Sequence, residues 1–190
     1  KKCPKCQARI KELGLKDEHE LQSWFVQRVE KFLNSKGRRL LGWDEILEGG
    51  LAPNAMVMSW RGTAGGLKAA SEGHDVVMSP TSHCYLDYCQ ARDNSKEPET
   101  IGGYVPLKTV YSYEPVPTDL PADKRGHILG TQGNLWAEYL FEPKDVMYMA
   151  QPRLSAIAEI GWSPAEARDY DGFVARLPAP LARFHAMGFG

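Results

Sequence analysis

Apolar positions along the chain follow two spacings, one typical of amphipathic helices and one of short buried strands. Between residues 18 and 36 the apolar side chains recur at helical spacing. Asp17 is the predicted N-cap, Glu20 completes a capping box with it, and Gly37 is the predicted C′ residue. The apolar stripe comprises Leu21, Trp24, Phe25, Val29, Phe32 and Leu33. We therefore predict a long helix whose stripe needs a partner to cover it.

Four apolar runs predict strands, and helical patterns lie between them. The strands are expected at residues 38–43, 55–60, 74–79 and 127–130, with a short helix over 64–72. The segment from about Pro80 to Arg125 is rich in proline, and a loop of that length is functional or carries small helices of its own. Pro143 begins a predicted helix to about Gly161 that Pro152 should kink. A last amphipathic piece is interrupted by Pro178 and Pro180.

This order of elements predicts an α/β fold with a parallel sheet, because apolar strands alternate with helices. Four such strands are about half of a (β/α)8 barrel. Half a barrel has two unpaired strand edges, and exposed edges recruit other strands, so self-association is expected. In parallel sheets the chemistry gathers at the C-terminal strand ends.

Composition and charge narrow the classes of function. The chain has 190 residues and a formal net charge of −1, with no dominant basic patch, so nucleic acid is not an expected partner. No apolar stretch is long enough to span a bilayer. The chain begins at Lys1 without a Met, as the middle of a longer sequence would, so the compartment stays open and an exported parent is one option.

Four cysteines raise a zinc hypothesis, with free thiols or a disulfide as the alternatives. They occur as a C-x-x-C pair, Cys3 and Cys6, and a wider pair, Cys84 and Cys89. A redox C-x-x-C would follow a strand and open a helix, and no strand is predicted before Cys3. The five histidines are scattered without a metal-binding spacing, so no catalytic metal and no cofactor are expected.

Tryptophans at the ends of the apolar runs are the most informative feature. Trp43 and Trp60 close the first two predicted strands, and Trp136 follows the fourth. Aromatic rings beside a few polar groups suit a pyranose, which has an apolar face and a hydroxyl edge. We expect these indoles to line one concave site, although any single Trp at a strand end could simply cap the core.

Carboxylates and a phenol accompany the indoles. Tyr85 and Asp87 are two residues apart, and so are Trp136 and Glu138, which places each pair on one face of an extended segment. A solvated carboxylate or a salt bridge is the alternative in each case. Asp44 and Glu45 form a tempting acid/base pair, but neighbouring residues on a strand point to opposite faces, so a joint role needs a bend.

The motifs around these residues resemble the second half of the catalytic barrel of a β-N-acetylhexosaminidase of glycoside hydrolase family twenty. They lie in the family's order and cover nearly the whole chain, as Gly42–Glu45, Ser59–Gly62, Tyr85–Asp87, Gly133–Glu138 and Arg153–Glu159, followed by Trp162 and Ser163. The resemblance implies one partial (β/α)8 barrel domain over residues 1–190, roughly strands five to eight, without a second domain.

The resemblance also implies a reaction and a role for each site residue. The family removes terminal β-linked N-acetylglucosamine or N-acetylgalactosamine with retention, using the substrate's acetamido oxygen as nucleophile. Trp43, Trp60 and Trp136 would wall the acetamido methyl, and Tyr85 would donate to the acetamido oxygen. Asp87 and Trp136 would meet the 6-hydroxyl region and Glu138 the 4-hydroxyl.

One departure from the family matters for activity. The adjacent Asp-Glu pair that follows His-x-Gly-Gly in the family has no counterpart here, nor has an arginine from the first strand. We expect Lys1 to begin just after that pair, so that the fragment alone is inactive. Two other readings stay open: a non-catalytic carbohydrate-binding module, and a zinc-stabilised interaction domain.

Overall fold

The computed structural model describes residues 1–188, which form two compact units. The first contains Lys1–Met78 and Thr118–Leu129, and the second contains Ser79–Pro117 and the described residues from Gly130 onward. The prediction of one partial barrel domain over residues 1–190 remains a prediction. No helix among residues 1–188 combines the length and the apolar character needed to cross a lipid bilayer.

The helices and strands follow the predicted order with shorter bounds. The strands are β1 (Leu41–Trp43), β2 (Met56–Ser59), β3 (Val76–Met78) and β4 (Ile128–Thr131). The helices are α1 (Pro4–Leu13), α2 (Glu18–Ser35), α3 (Ala64–Ser71), α4 (Thr81–Cys84), α5 (Leu107–Tyr111), α6 (Pro143–Ala150), α7 (Arg153–Trp162), α8 (Tyr170–Arg176) and α9 (Pro178–Ala186). Short 3-10 turns lie at Asp44–Leu47, Ala122–His127, Ala137–Tyr139 and Ala165–Ala167.

The sheet has the strand order β1-β2-β3-β4. β1 pairs with β2 and β2 with β3 in parallel, as predicted. The β2 and β3 residues Val57, Val76 and Met78 are fully buried. Helix α3 covers them closely, since a Cβ added at Gly66 would meet Met78 and Val76 side-chain atoms at 2.6 and 3.1 Å. Gly66 therefore sets the distance between helix and sheet.

Helix α2 confirms most of the prediction made for it. The Asp17 carboxylate accepts hydrogen bonds from the His19 and Glu20 amides, and Gly37 has a positive φ of 67°. The capping box is wrong in one detail, because the Glu20 side chain accepts from the Lys16 amide. The stripe is only partly covered within the described residues: Phe25 and Phe32 are about 60% exposed.

Two polar residues of α2 are buried instead of the stripe. Ser23 Oγ donates to the Gly50 carbonyl at 2.6 Å, and the Glu30 carboxylate accepts from the Asn54 amide at 2.6 Å. These bonds hold the loop between β1 and β2 on the helix, a role that an apolar pattern does not indicate.

The bounds of the helices test three predictions about the second half of the chain. The long segment after β3 carries small helices, α4, α5 and the turn Ala122–His127, as its length suggested. Pro152 separates α6 from α7 rather than kinking one helix, because proline offers no N–H to the helical ladder. The interruption at Pro178 is confirmed, with α8 ending before it and α9 starting at it.

Candidate functional site

In the first unit, two tryptophans meet at the ends of neighbouring parallel strands. Trp43 is the last residue of β1, and Trp60 directly follows β2. Their ring centroids are 6.5 Å apart at an interplanar angle of 84°, an edge-to-face contact. The prediction that both indoles close apolar strands is confirmed, and the pair forms one continuous aromatic surface.

The two carboxylates after Trp43 both reach the end of β2. Asp44 and Glu45 begin a 3-10 turn, which supplies the bend that a joint role of the pair requires. Asp44 is 2% exposed and accepts hydrogen bonds from the backbone N–H groups of Trp60 and Arg61 at 3.0 and 3.1 Å. Glu45 Oε2 accepts from Trp60 Nε1 at 2.9 Å. Within the first unit, this pair holds the Trp60 segment in place.

Arg61 ties the same segment to a further acidic residue. Its guanidinium pairs with the buried Asp44 and donates to Glu48 Oε1 at 2.7 Å. The hydrogen bond from Arg61 lowers the pKa of Glu48. The Glu48 carboxylate is therefore an ionised partner of Arg61 at neutral pH, and this charge network is structural.

In the second unit, the segments after β3 and β4 continue side by side in parallel. The Leu86 amide donates to the Asn134 carbonyl at 2.7 Å, and the Asn134 amide donates to the Cys84 carbonyl at 2.8 Å. The Asn134 side chain is buried and donates to Ser79 Oγ at 2.7 Å. The sequence pattern does not indicate a role for Ser79 or Asn134, although Asn134 lies inside the motif Gly133–Glu138.

This pairing brings Tyr85 against Trp136. Their ring centroids are 6.4 Å apart, and Trp136 is 40% exposed while Tyr85 is 7% exposed. Burial raises the pKa of the Tyr85 phenol to about 12. The phenol therefore keeps its proton at neutral pH and remains a hydrogen-bond donor.

Asp87 lies two residues further on, in the turn after the paired segment. It is 6% exposed, and among residues 1–188 its Oδ1 has no hydrogen-bond partner. Burial raises the pKa of Asp87, the nearby Glu138 carboxylate raises it further, and Arg153 opposes both. A buried carboxylate oxygen without a partner is costly, so its presence suggests a ligand that donates to it.

Glu138 lies in the 3-10 turn Ala137–Tyr139 and is exposed. The alternation argument that placed it on the face of Trp136 is therefore wrong, since that argument requires an extended segment. Its charge nevertheless acts on Asp87. The second unit thus brings Tyr85, Asp87, Trp136 and Glu138 together, although Glu138 does not lie on an extended strand.

A buried arginine supports the turn that carries Asp87. Arg153, in α7, is fully buried and donates to the carbonyls of Leu86 and Tyr88, which flank Asp87, at 2.6 and 2.9 Å. It also donates to the carbonyls of Val105 and Met149. Arg153 begins one of the family motifs, but the residues next to it in the sequence do not indicate that it is completely buried.

Comparisons with known proteins address the family directly. The family model described as glycosyl hydrolase family 20, catalytic domain, matches residues 1–165. The chain belongs to glycosyl hydrolase family 20. It is 53% identical to a β-hexosaminidase of Porphyromonas gingivalis over 99% of the chain, and 37% identical to one of Vibrio furnissii over 83%.

Solved family 20 structures agree in fold. A Vibrio harveyi exo-β-N-acetylglucosaminidase in complex with N-acetylglucosamine superposes with a TM-score of 0.85 at 36% identity, over 99% of this chain and 30% of that one. A Streptomyces coelicolor β-N-acetylhexosaminidase gives a TM-score of 0.77 at 30% identity, over 88% of this chain and 35% of that one. The fold is α/β and forms part of a (β/α)8 barrel. The chain spans about a quarter of the length of the curated relatives above.

Among the described residues of this family 20 chain, no group of side chains could hold the zinc ion of a zinc-stabilised domain. Within residues 1–188, no three or more His, Cys, Asp or Glu side chains are grouped to hold a metal ion, and all four cysteines are free thiols. Cys84 and Cys89 are buried, with contacts to the Thr131 and Thr100 hydroxyls. Cys3 is the N-cap of α1, a helix that sequence analysis did not predict.

The expectation that the indoles of both units line one concave site remains a prediction. The structure brings Trp43 to Trp60 in the first unit. It brings Tyr85 to Trp136 in the second unit, beside Asp87 and Glu138.

Replacing Asp87 with asparagine should stabilise the family 20 fold at neutral pH. The pKa of Asp87 is raised on folding, so the native state keeps this proton to a higher pH than the unfolded state does. Stability therefore falls as pH rises from the unfolded-state pKa of Asp87 through its folded-state pKa. Asp87→Asn removes the buried charge, and we expect a gain of about 1 kcal/mol. Denaturant unfolding across the acidic to neutral range should show the gain at pH 7 and its disappearance in acid. The exposed control Asp93→Asn should show no such gain.

Proposed function

We propose that this chain supplies sugar-binding residues of a retaining exo-glycosidase that releases terminal β-linked N-acetylglucosamine or N-acetylgalactosamine. The observation that carries the proposal is the Tyr85–Trp136 aromatic pair beside Asp87, whose buried Oδ1 has no partner within residues 1–188. An aromatic surface next to an unsatisfied acceptor suits a ligand with an apolar face and donor hydroxyls. A sugar has both.

In the second unit, the chemistry of each side chain matches a part of the amino sugar. The protonated Tyr85 phenol donates to the acetamido oxygen and orients it for attack on the anomeric carbon. Asp87 accepts from the 6-hydroxyl, with Trp136 packing beside it. Glu138, which is exposed in the middle of a short turn, accepts from the 4-hydroxyl.

In the first unit, Trp43 and Trp60 are assigned to the acetamido methyl. Two indoles in edge-to-face contact present an apolar surface that a methyl group can pack against. The assignment of an N-acetylated sugar is supported by the Vibrio harveyi relative, which has been solved in complex with N-acetylglucosamine. In the second unit, Trp136 is proposed to offer a further apolar face to the sugar.

The mechanism proposed is substrate-assisted hydrolysis. The acetamido oxygen attacks the anomeric carbon as the glycosidic bond breaks, an oxazolinium ion forms, and water then opens it with overall retention. The residues of this chain bind and orient the sugar in that sequence. The proton for the leaving oxygen comes from a general acid outside this set of residues.

The direct test of the sugar assignment is Glu138→Gln in the full-length protein. Losing a charged acceptor for a substrate hydroxyl should lower kcat/KM for a chromogenic N-acetylglucosaminide by about 10- to 100-fold, the range expected for hydrogen bonds to charged groups. Glu142→Gln, a matched change at an exposed residue, should stay within about twofold. Unchanged kinetics in Glu138→Gln would contradict the assignment, and sugar binding without any hydrolysis by the unaltered protein would favour a binding module.

The 190-residue chain by itself is expected to be nearly inert. Its sequence contains no His-x-Gly-Gly-Asp-Glu segment, and general acid catalysis is worth about 10²–10⁴-fold in rate. Efficient release of the chromophore by this chain alone would refute that expectation.

We also propose that this chain associates with itself through its strand edges. β1 and β4 lie at the two ends of the strand order, and open edges favour pairing with another chain. Light scattering on the isolated chain should show dimers or larger species, and a strictly monomeric, folded chain would contradict this.

A further inference from the structure

The indole edge of Trp60 is held by a carboxylate to which the proposed function assigns no task. Glu45 Oε2 accepts a hydrogen bond from Trp60 Nε1 at 2.9 Å. A carboxylate is a stronger hydrogen-bond acceptor than a neutral carbonyl or amide oxygen. It joins the turn after β1 to the residue after β2, and it fixes the indole at its polar edge.

The main chain of Trp60 is held by the neighbouring carboxylate. Asp44 accepts from the backbone N–H groups of Trp60 and Arg61 at 3.0 and 3.1 Å. Adjacent residues on one 3-10 turn therefore restrain the backbone and the side chain of the same tryptophan. Strand alternation would have sent these two carboxylates to opposite faces, so this arrangement depends on the turn.

The turn is itself anchored on two sides within the first unit. The Glu45 carbonyl accepts from Gln22 Nε2 at 2.9 Å, which ties the turn to α2. On the other side, a Cβ added at Gly65 of α3 would lie 3.0 Å from the Asp44 Cβ and 3.2 Å from its Oδ2. The acceptor of the indole N–H is thus part of a packed framework.

We propose that Glu45 is a positioning residue for the amino sugar, because it holds the indole plane of Trp60 ready for the ligand. The inference rests on the proposed function, in which Trp60 packs against the acetamido methyl. Without the Glu45 acceptor, the indole can rotate about its two side-chain torsions, and binding must then order it. A ring that is already fixed avoids that entropic cost.

The test uses the full-length protein and three single variants. Glu45→Met keeps the approximate size and removes the acceptor, Glu45→Gln keeps an acceptor oxygen without the charge, and Glu72→Gln changes an exposed carboxylate of the same unit. We expect Glu45→Met to lower kcat/KM for an N-acetylglucosaminide by about tenfold, mostly through KM, since the wall contacts the sugar in ground and transition states alike. Glu45→Gln should recover most of the loss, and Glu72→Gln should stay within about twofold. An equal loss in all three variants, or no loss in Glu45→Met, would overturn the proposal.

Two further measurements separate this inference from the proposed function. The indole ¹⁵N–H signal of Trp60, assigned by its disappearance in Trp60→Phe, should shift in Glu45→Met but not in Glu72→Gln. A shift without any change in KM would confirm the hydrogen bond and overturn the positioning role. In a double-mutant cycle, Glu45→Met should add no loss once Trp60→Phe is present. If Trp60→Phe alone leaves the kinetics unchanged, the proposed function of Trp60 fails, whatever Glu45 does.

Discussion

Replacing Arg153 with methionine should destabilise the protein by at least about 3 kcal/mol. The change removes donors from four backbone carbonyls of the second unit, those of Leu86, Tyr88, Val105 and Met149. Each buried carbonyl left without a partner costs about 1–3 kcal/mol, and methionine offers no donor. Denaturant unfolding followed by circular dichroism would measure the loss.

The matched control for that variant is Arg176→Met. Arg176 is about 60% exposed and pairs with Glu159, so its loss should cost no more than about 1 kcal/mol. Equal losses in the two variants would show that the buried network around Arg153 has no special importance. Arg153→Lys should fall between the two, because an ammonium has fewer donors than a guanidinium.

Tyr85→Phe is expected to have the largest effect on catalysis of any single site residue in this chain. The change removes one hydroxyl, and the proposed role of that hydroxyl is to donate to the acetamido oxygen as charge develops during its attack. Losing one such preorganised donor costs about 10²–10³-fold in kcat. Steady-state kinetics of the full-length protein on an N-acetylglucosaminide would measure it.

The ring of Tyr85 is retained in this variant, so the packing against Trp136 should survive and KM should change little. Tyr148→Phe serves as the control, because Tyr148 lies on α6 and is 44% exposed. A loss in Tyr85→Phe that appears entirely in KM would contradict a role in the chemical step. It would leave Tyr85 as a binding residue only.

The order of the helices and strands could be predicted from the sequence, because the spacing of apolar residues distinguishes amphipathic helices from short buried strands. Val57 and Val76 are fully buried within short apolar runs, which in a parallel sheet are continuous rather than alternating. The N-cap Asp17 and the left-handed Gly37 give α2 its predicted ends. These signals are local, so a single sequence contains them.

The geometry around the carboxylates could not be predicted in the same way. Strand alternation was applied to Asp44, Glu45 and Glu138, but each lies in a 3-10 turn that begins where a strand or extended segment ends. The contact from Glu45 to Trp60 joins two neighbouring strands and depends on side-chain reach. Arg153 was given no role because an arginine on an amphipathic helix is usually exposed, and its burial follows from carbonyls far away in sequence.

We propose that these aromatic and acidic side chains recognise a terminal N-acetylated sugar. Saturation-transfer NMR on the full-length protein with a 1:1 mixture of methyl β-N-acetylglucosaminide and methyl β-glucoside tests it most directly. We predict that the acetamido methyl receives the strongest saturation, that the glucoside receives almost none, and that Trp60→Ala abolishes the difference. Equal saturation of the two sugars, or a pattern that Trp60→Ala leaves unchanged, would contradict the account.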